Sequence, residues 1–538
     1  MAAIPASAHH GDGATFAAPQ PPAADVPPVA ADGIVNELRV ENRVSGLTTR
    51  YLWLRLDNGS TVALRGSGLD ALIPEQRVEV TGRNAGETLF VTGARALPTV
   101  PARATNASAP VALSVQGKLA VAHADYFNEG RGGYSVHVIS EDGTATVLQL
   151  TVVPDVLQIG MSVIAEGTLS ADGVSLKANR ITVLALPSTA NDPIQTPIIN
   201  NVLVILIKFT DSPAADPFTQ AQVDQVMRTN AGSVANYYNE VSYGQQLLNV
   251  TVTNWLPAGA ATPASCGWST AGNLANTAAT AAGYNLANYT NTFYVMPHNA
   301  ACGWAGLAYV GFPYTAWSNG YNQLGVYGHE LGHNFTLLHA GSLGCTGQVI
   351  GGSCSVAEYG DPFDLMGNSS TMHFNAMQKL HLNWIPASSV KTHSSGNAIY
   401  TLSPLESAGQ STYAVKIPAA ANRTYWLEYR QPIGFDAPMS SYPNNGAQIR
   451  VAAPLQFTSG MDDTQILDMT LGTPGSFGDA ALLVGQTYND STYGISVYVN
   501  SATASALTLT VSAPGGGGVP ASVTVNSGSG QSARVGAA

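Results

Sequence analysis

The run GVYGHELGHNFTLLHA at residues 325–340 constrains this chain more than any other stretch. His329 and His333 are four apart, so on a helix they project about 40° apart, one turn along. Two imidazoles on one helix face make half of a tetrahedral zinc site. Glu330, next to the first of them, is placed to take a proton from a metal-activated water. His339 follows His333 by six residues, and a continuous helix would turn it roughly 120° away. The helix must therefore stop and the chain bend back. Histidine fills 11 of 538 positions, so three at these offsets are poorly explained by an amphipathic helix with solvent-facing histidines.

Composition narrows the setting. Only 10% of residues are charged, against about 25% in an average soluble protein. The 22 Lys and Arg against 34 Asp and Glu argue against a nucleic-acid partner, because phosphate neutralisation needs clustered cations. With 55 Gly and 31 Pro the chain suits β structure and loops better than a helical bundle. The longest aliphatic run, Val202 to Ile207, falls far short of the ~20 residues that span a bilayer. Met1 to Gly13 shows no signal-peptide pattern. The even cysteine count still favours an exported, secreted protein. Cys266–Cys302 and Cys345–Cys354 are the simplest of the three connectivities.

The texture of the chain predicts a multidomain α+β protein. Residues 1–32 read as an Ala- and Pro-rich leader. Two β modules, 33–98 and 110–186, echo each other: Asp57-Asn58-Gly59 is matched by Glu141-Asp142-Gly143, and Arg77–Gly82 by Ser162–Gly167. They resemble small OB-like barrels. A Pro-flanked linker (187–197) leads into an α/β segment (198–386), where Thr219 with Gln222 forms a capping-box signal. Alternating strands return over 387–513 and predict a C-terminal β-sandwich. Residues 514–538 form a Gly- and Ser-rich tail.

Residues 329–339 are similar to the HExxHxxGxxH signature of metzincin zinc proteases. Tyr237-Tyr238, the turn Tyr359-Gly360-Asp361-Pro362-Phe363-Asp364-Leu365-Met366-Gly367, His373–Ala376, Leu382-Asn383-Trp384 and Leu427–Pro432 look like the gametolysin-like family, peptidase family M11. The resemblance covers about 198–512. It implies a zinc metalloendopeptidase with an α/β catalytic domain, one catalytic Zn2+ on His329, His333 and His339, Glu330 as general base towards a zinc-activated water, and Met366 packing beneath the metal. It also implies an edge strand that pairs with substrate backbone. The segment 303–311, with Gly303, Trp304, Ala305 and Gly306, is the candidate.

One position departs from the signature. Thr336 stands where the pattern has glycine, and a β-branched residue in a left-handed turn costs roughly 1–2 kcal/mol. Either the bend towards His339 is built differently or His339 is not a ligand; Glu358 is the rival. A catalytically silent adhesin or carbohydrate-binding protein on the same scaffold is the alternative function. His373 is a candidate for lining the cleft. The expected partners are protein or glycoprotein substrates, extracellular or of a cell wall, with no nucleic acid, no membrane span and a monomeric chain. A structural Ca2+ is compatible with the sequence, although no motif asks for one. Relatives are often held latent by a preceding segment, many through a cysteine thiolate. Here the first cysteine is Cys266, inside the catalytic segment, so any inhibition by residues 1–196 must come from covering the cleft or from a carboxylate or histidine. Permanent accessory modules are the competing reading.

Overall fold

A computed structural model describes residues 26–514, except 67, 86–87, 99–110, 153, 171–174, 188–196, 352, 368–370, 421–422, 455–461 and 474. Most of the expected leader, most of the linker and nearly all of the tail lie outside the described residues. The protein is mostly β-sheet, with few helices. Among the described residues no helix is long and apolar enough to cross a membrane. The chain divides into two units. One takes the described residues of 1–341, 355–371 and 454–463; the other takes those of 342–354, 372–453 and 464–538.

In the first unit the two modules repeat one pairing order. The strands Val29–Asn42, Leu47–Leu56, Thr61–Gly66, Arg77–Ala85 and Thr88–Ala96 pair first with second, second with third, third with fifth and fifth with fourth. The first strand also pairs with the fourth. In the second module Ala112–Tyr126, Arg131–Ile139, Ala145–Gln149, Ser162–Leu169 and Ser175–Ala185 follow the same circuit. Alternation along these strands turns Val35, Leu54, Val78 and Val80 into one core and Leu119, Val138, Val163 and Ile181 into the other.

The α/β segment that follows the linker is built on parallel strands. Ile198–Lys208 pairs with Gln246–Pro257 on one side and Asn291–Met296 on the other, and Thr315–Asn319 follows. Neighbours on both edges and helices over the sheet leave Val202 to Ile207 wholly buried, hence the unbroken aliphatic run. Gly306–Tyr309 closes this part of the sheet as an antiparallel strand beside Thr315–Asn319. Its other edge is taken by the second module's strand Ala112–Tyr126, with Gly306 opposite Asp125 and Ala308 opposite His123. Thr219 caps the helix Gln220–Asp224 in a full capping box with Gln222. The Cys266–Cys302 disulfide is present here, and Cys345–Cys354 forms within the second unit.

The second unit has two sheets. Val390–Thr392, Ala414–Ala420, Arg423–Glu428, Gly446–Pro454 and Leu482–Leu483 make one; Gly396–Leu402, Ala506–Ala513, Ile495–Thr503 and Thr487–Asp490 make the other. Glu428 and Arg430, two apart, both turn inward. Arg430 is wholly buried, with Nε 2.9 Å from Glu406, Nη1 3.3 Å from Glu428 and Nη2 2.5 Å from Asp436. Arg450 adds a contact to Glu428 at 2.7 Å. His373 belongs to this network: its N–H donates to Asp436 and its Nδ1 lies 3.0 Å from Lys379 Nζ.

Removing one partner of a buried charge network leaves the rest uncompensated. Arg430→Ala should destabilise the unit by about 3–5 kcal/mol, and Arg430→Lys should not restore the forked contacts. Urea unfolding of the three proteins checks this; an Arg430→Ala midpoint equal to wild type would refute it.

Candidate metal centre

The helix Leu324–Asn334 carries His329, Glu330 and His333, all completely buried. It can sit this deep because glycines face its neighbours. A Cβ on Gly332 would lie 2.5 Å from Met366 Sδ, and one on Gly328 would meet Leu365 at 3.0 Å. Tyr238 holds the helix from another side by donating to the Gly328 carbonyl at 2.7 Å. The turn that brings Met366 beneath the helix is set by its acids. Asp361 accepts from Phe363 N–H and Asp364 from Met366 N–H, each at 2.9 Å.

The helix ends in a Schellman motif. Leu337 N–H donates to Gly332 O at 3.0 Å, and Thr336 N–H to His333 O at 2.8 Å. The residue in the left-handed position is Thr336 itself, at φ 73°. The bend is thus not rebuilt to spare the threonine, contrary to one expectation from the sequence; the chain accepts the strained residue and still swings His339 back.

The three histidine rings form a near-equilateral cluster. Their centroids are 4.9 Å apart for His329 and His333, 5.2 Å for His329 and His339, and 5.1 Å for His333 and His339. Each outer nitrogen is held. His329 Nδ1 is 2.9 Å from Leu365 O, His333 Nδ1 is 2.9 Å from Leu337 O, and His339 Nδ1 is 3.0 Å from Glu358. A carbonyl only accepts, so the first two rings carry their proton on Nδ1 and present an Nε2 lone pair inward. Glu358 therefore sits on the outer nitrogen of His339, and its other oxygen accepts from Gly132 N–H at 2.6 Å.

The inward nitrogens converge on a residue the sequence did not single out. Asp125, from the second module, lies with Oδ1 3.0 Å from His339 Nε2 and 3.5 Å from His329 Nε2, and with Oδ2 3.5 Å from His333 Nε2. Tyr359 donates to Asp125 Oδ1 at 2.7 Å, and His123 Nδ1 is 3.0 Å from the same oxygen. Ligand-type atoms gather in two overlapping groups, His123, Asp125, His333 and His339, and Asp125, His329 and Glu330. A signal for the missed pair existed. His123 and Asp125 are two apart, hence on one face of a strand, in a chain with few charges.

Burial and charge shape the site together. Burial pushes His333 down to about 3 and lowers His329. Burial also works against charge on His339, but Asp125 and Glu358 outweigh it and raise that ring to about 10. Burial raises the Glu330 carboxyl well above its usual range, and the Asp125 charge adds to this. For Asp125 burial acts upward, yet His123, His329 and His333 hold it well below. Both Glu330 oxygens, Asp125 Oδ2 and the Nε2 atoms of His329 and His333, although buried, have no hydrogen-bond partner among the described residues. Such orphaned groups cost about 1–3 kcal/mol each, and a cation among them is the simplest way to satisfy them. The donor set fits zinc.

The candidate substrate strand is shorter than the sequence suggests. Gly303 turns at φ 76° and Trp304 is buried, while the strand itself is Gly306–Tyr309. Ala305 N–H already pairs with Asp125 O at 2.9 Å. Gly306 is required by contact, since a Cβ there would lie 1.8 Å from Glu330 Oε1. His373, a candidate for the cleft, belongs to the second unit and takes part in its ion network.

Two substitutions read this geometry. Thr336→Gly should stabilise by about 1 kcal/mol, because glycine removes the left-handed strain. Gly332→Ala should cost about 1–3 kcal/mol by pushing on Met366. Thermal unfolding midpoints decide both; a lower midpoint for Thr336→Gly would mean that residue 336 is not strained.

Residues 201–424 match the family model described as gametolysin peptidase M11. No curated protein matches the chain. The matched segment holds the three histidines, Glu330 and Met366 and excludes His123 and Asp125.

Proposed function

The chain carries a gametolysin-like M11 peptidase segment at residues 201–424, and from that premise we propose that it is a secreted zinc-dependent endopeptidase of the metzincin type. Its substrates are extracellular or cell-wall proteins and glycoproteins. His329, His333 and His339 would hold the metal. The observation that carries this is the convergence of three buried Nε2 atoms whose Nδ1 partners are fixed, two of them by main-chain carbonyls. Glu358, on the outer face of His339, orients a ligand and is not one itself.

Zinc bound there supplies Lewis acidity, lowering the pKa of water and polarising the scissile carbonyl. Glu330 accepts the proton of the attacking water and delivers it to the leaving amine. Gly306 leaves the space that Glu330 needs. The strand Gly306–Tyr309, whose outer edge is paired with Ala112–Tyr126 in this structure, would offer that edge to an extended substrate, so main-chain hydrogen bonds would supply affinity whatever the side chains. Two disulfides support an oxidising, extracellular setting. The closed circuit of pairings in each N-terminal module supports reading them as OB-like barrels.

Zinc content and protein digestion test the reading together. One zinc per chain is expected, with casein hydrolysis stopped by a chelator and restored by zinc. Glu330→Gln should keep the zinc and the fold while losing about 10²–10⁴-fold in rate. An active Glu330→Gln protein would sink the assigned mechanism.

A further inference from the structure

The second N-terminal module does more than lie near the metal centre. Its strand Ala112–Tyr126 runs antiparallel along Gly306–Tyr309, with Asp125, Ala124, His123 and Ala122 opposite Gly306, Leu307, Ala308 and Tyr309. Ala305 N–H donates to Asp125 O and Val310 N–H to Val121 O, each at 2.9 Å. These are the main-chain groups that an extended substrate would need. Asp125 then fills the other requirement. Its carboxylate, wholly buried, sits among the inward nitrogens of all three histidines. The next stretch of the module seals the cluster: the Phe127 ring stands 5.0 Å from His329, and Gly132 N–H ties down Glu358.

We propose that this module holds the peptidase latent, with Val121–Asp125 occupying the substrate edge and the Asp125 carboxylate acting as an intramolecular ligand to the catalytic metal. The proposal rests on the metallopeptidase reading above. A permanent accessory module would have no need of a carboxylate at the centre of the histidine cluster. It also could not lie along the one catalytic-sheet edge that substrate requires.

The full-length chain loaded with Co2+ tests it, because cobalt reports its own ligands in visible absorption. Wild type should bind one cobalt and cleave a short quenched peptide slowly. Asp125→Ala should still bind cobalt, shift the visible bands and cleave the peptide faster. Asp125→Cys should add a sulfur-to-cobalt charge-transfer band, a signature that does not depend on activity and that only coordination by residue 125 can produce. Identical wild-type and Asp125→Ala spectra, with no charge-transfer band in Asp125→Cys, would overturn the latency ligand and leave the peptidase reading standing. A wild-type chain that binds no cobalt would overturn both.

Discussion

The main-chain carbonyl of Leu337 reaches His333 only because the helix stops at Asn334 and residue 336 turns left-handed. That single turn does three things. It ends the helix with its last carbonyls paired, it fixes the tautomer of His333, and it reverses the chain so that His339 faces the other two rings. A cluster of three imidazoles from one short segment depends on it, because helical spacing alone supplies two. The threonine at the turn shows how far the constraint reaches. A strain of about 1–2 kcal/mol is carried at Thr336 and not avoided, as at other functional sites whose surroundings over-determine the backbone.

The parts of this architecture that were legible in the sequence are local ones. His329 and His333 announce themselves through a helical period, Met366 through the acids that shape its turn, and the Thr219 cap through its spacing to Gln222. The simplest disulfide pairing is also the one formed. Glycine spacing could have been read further: Gly328 and Gly332, interleaved with the histidines, mark the helix face against which Leu365 and Met366 close. The sequence rule for residue 336 was sound as energetics and misleading as prediction. It marked a left-handed threonine as costly and could not see that the fold would adopt that turn regardless.

That Asp125 would join the histidines was out of reach for a different reason. Asp125 lies 214 positions from His339, and the contact is made through strand pairing. Alternation along Ala112–Tyr126 tells which side chains share a face, but nothing in a period of two says which edge the strand will join. The pairing of Ala122–Asp125 with Gly306–Tyr309 is a tertiary fact. So is the carboxylate that it delivers. The length of the strand Gly306–Tyr309 was overestimated for a related reason: Gly303 and Trp304 have the composition of the strand but serve as its entry, held by a left-handed turn and by burial.

On the proposed reading, the covered edge also resolves a tension in the fold. A strand meant to capture extended peptide must expose unpaired N–H and C=O groups, and such an edge invites pairing with any other chain. In this protein the edge is never bare while the module is docked, since Ala305 and Val310 already have acceptors in Asp125 and Val121. The buried carboxylate and the paired edge support one another. Without the strand the Asp125 side chain would not be aimed at the histidines, and without the histidines and Tyr359 it would be a costly buried charge in a strand. Each half stabilises the other. Under the proposed latency the arrangement would hold or release as one piece, so partial opening would not leak activity.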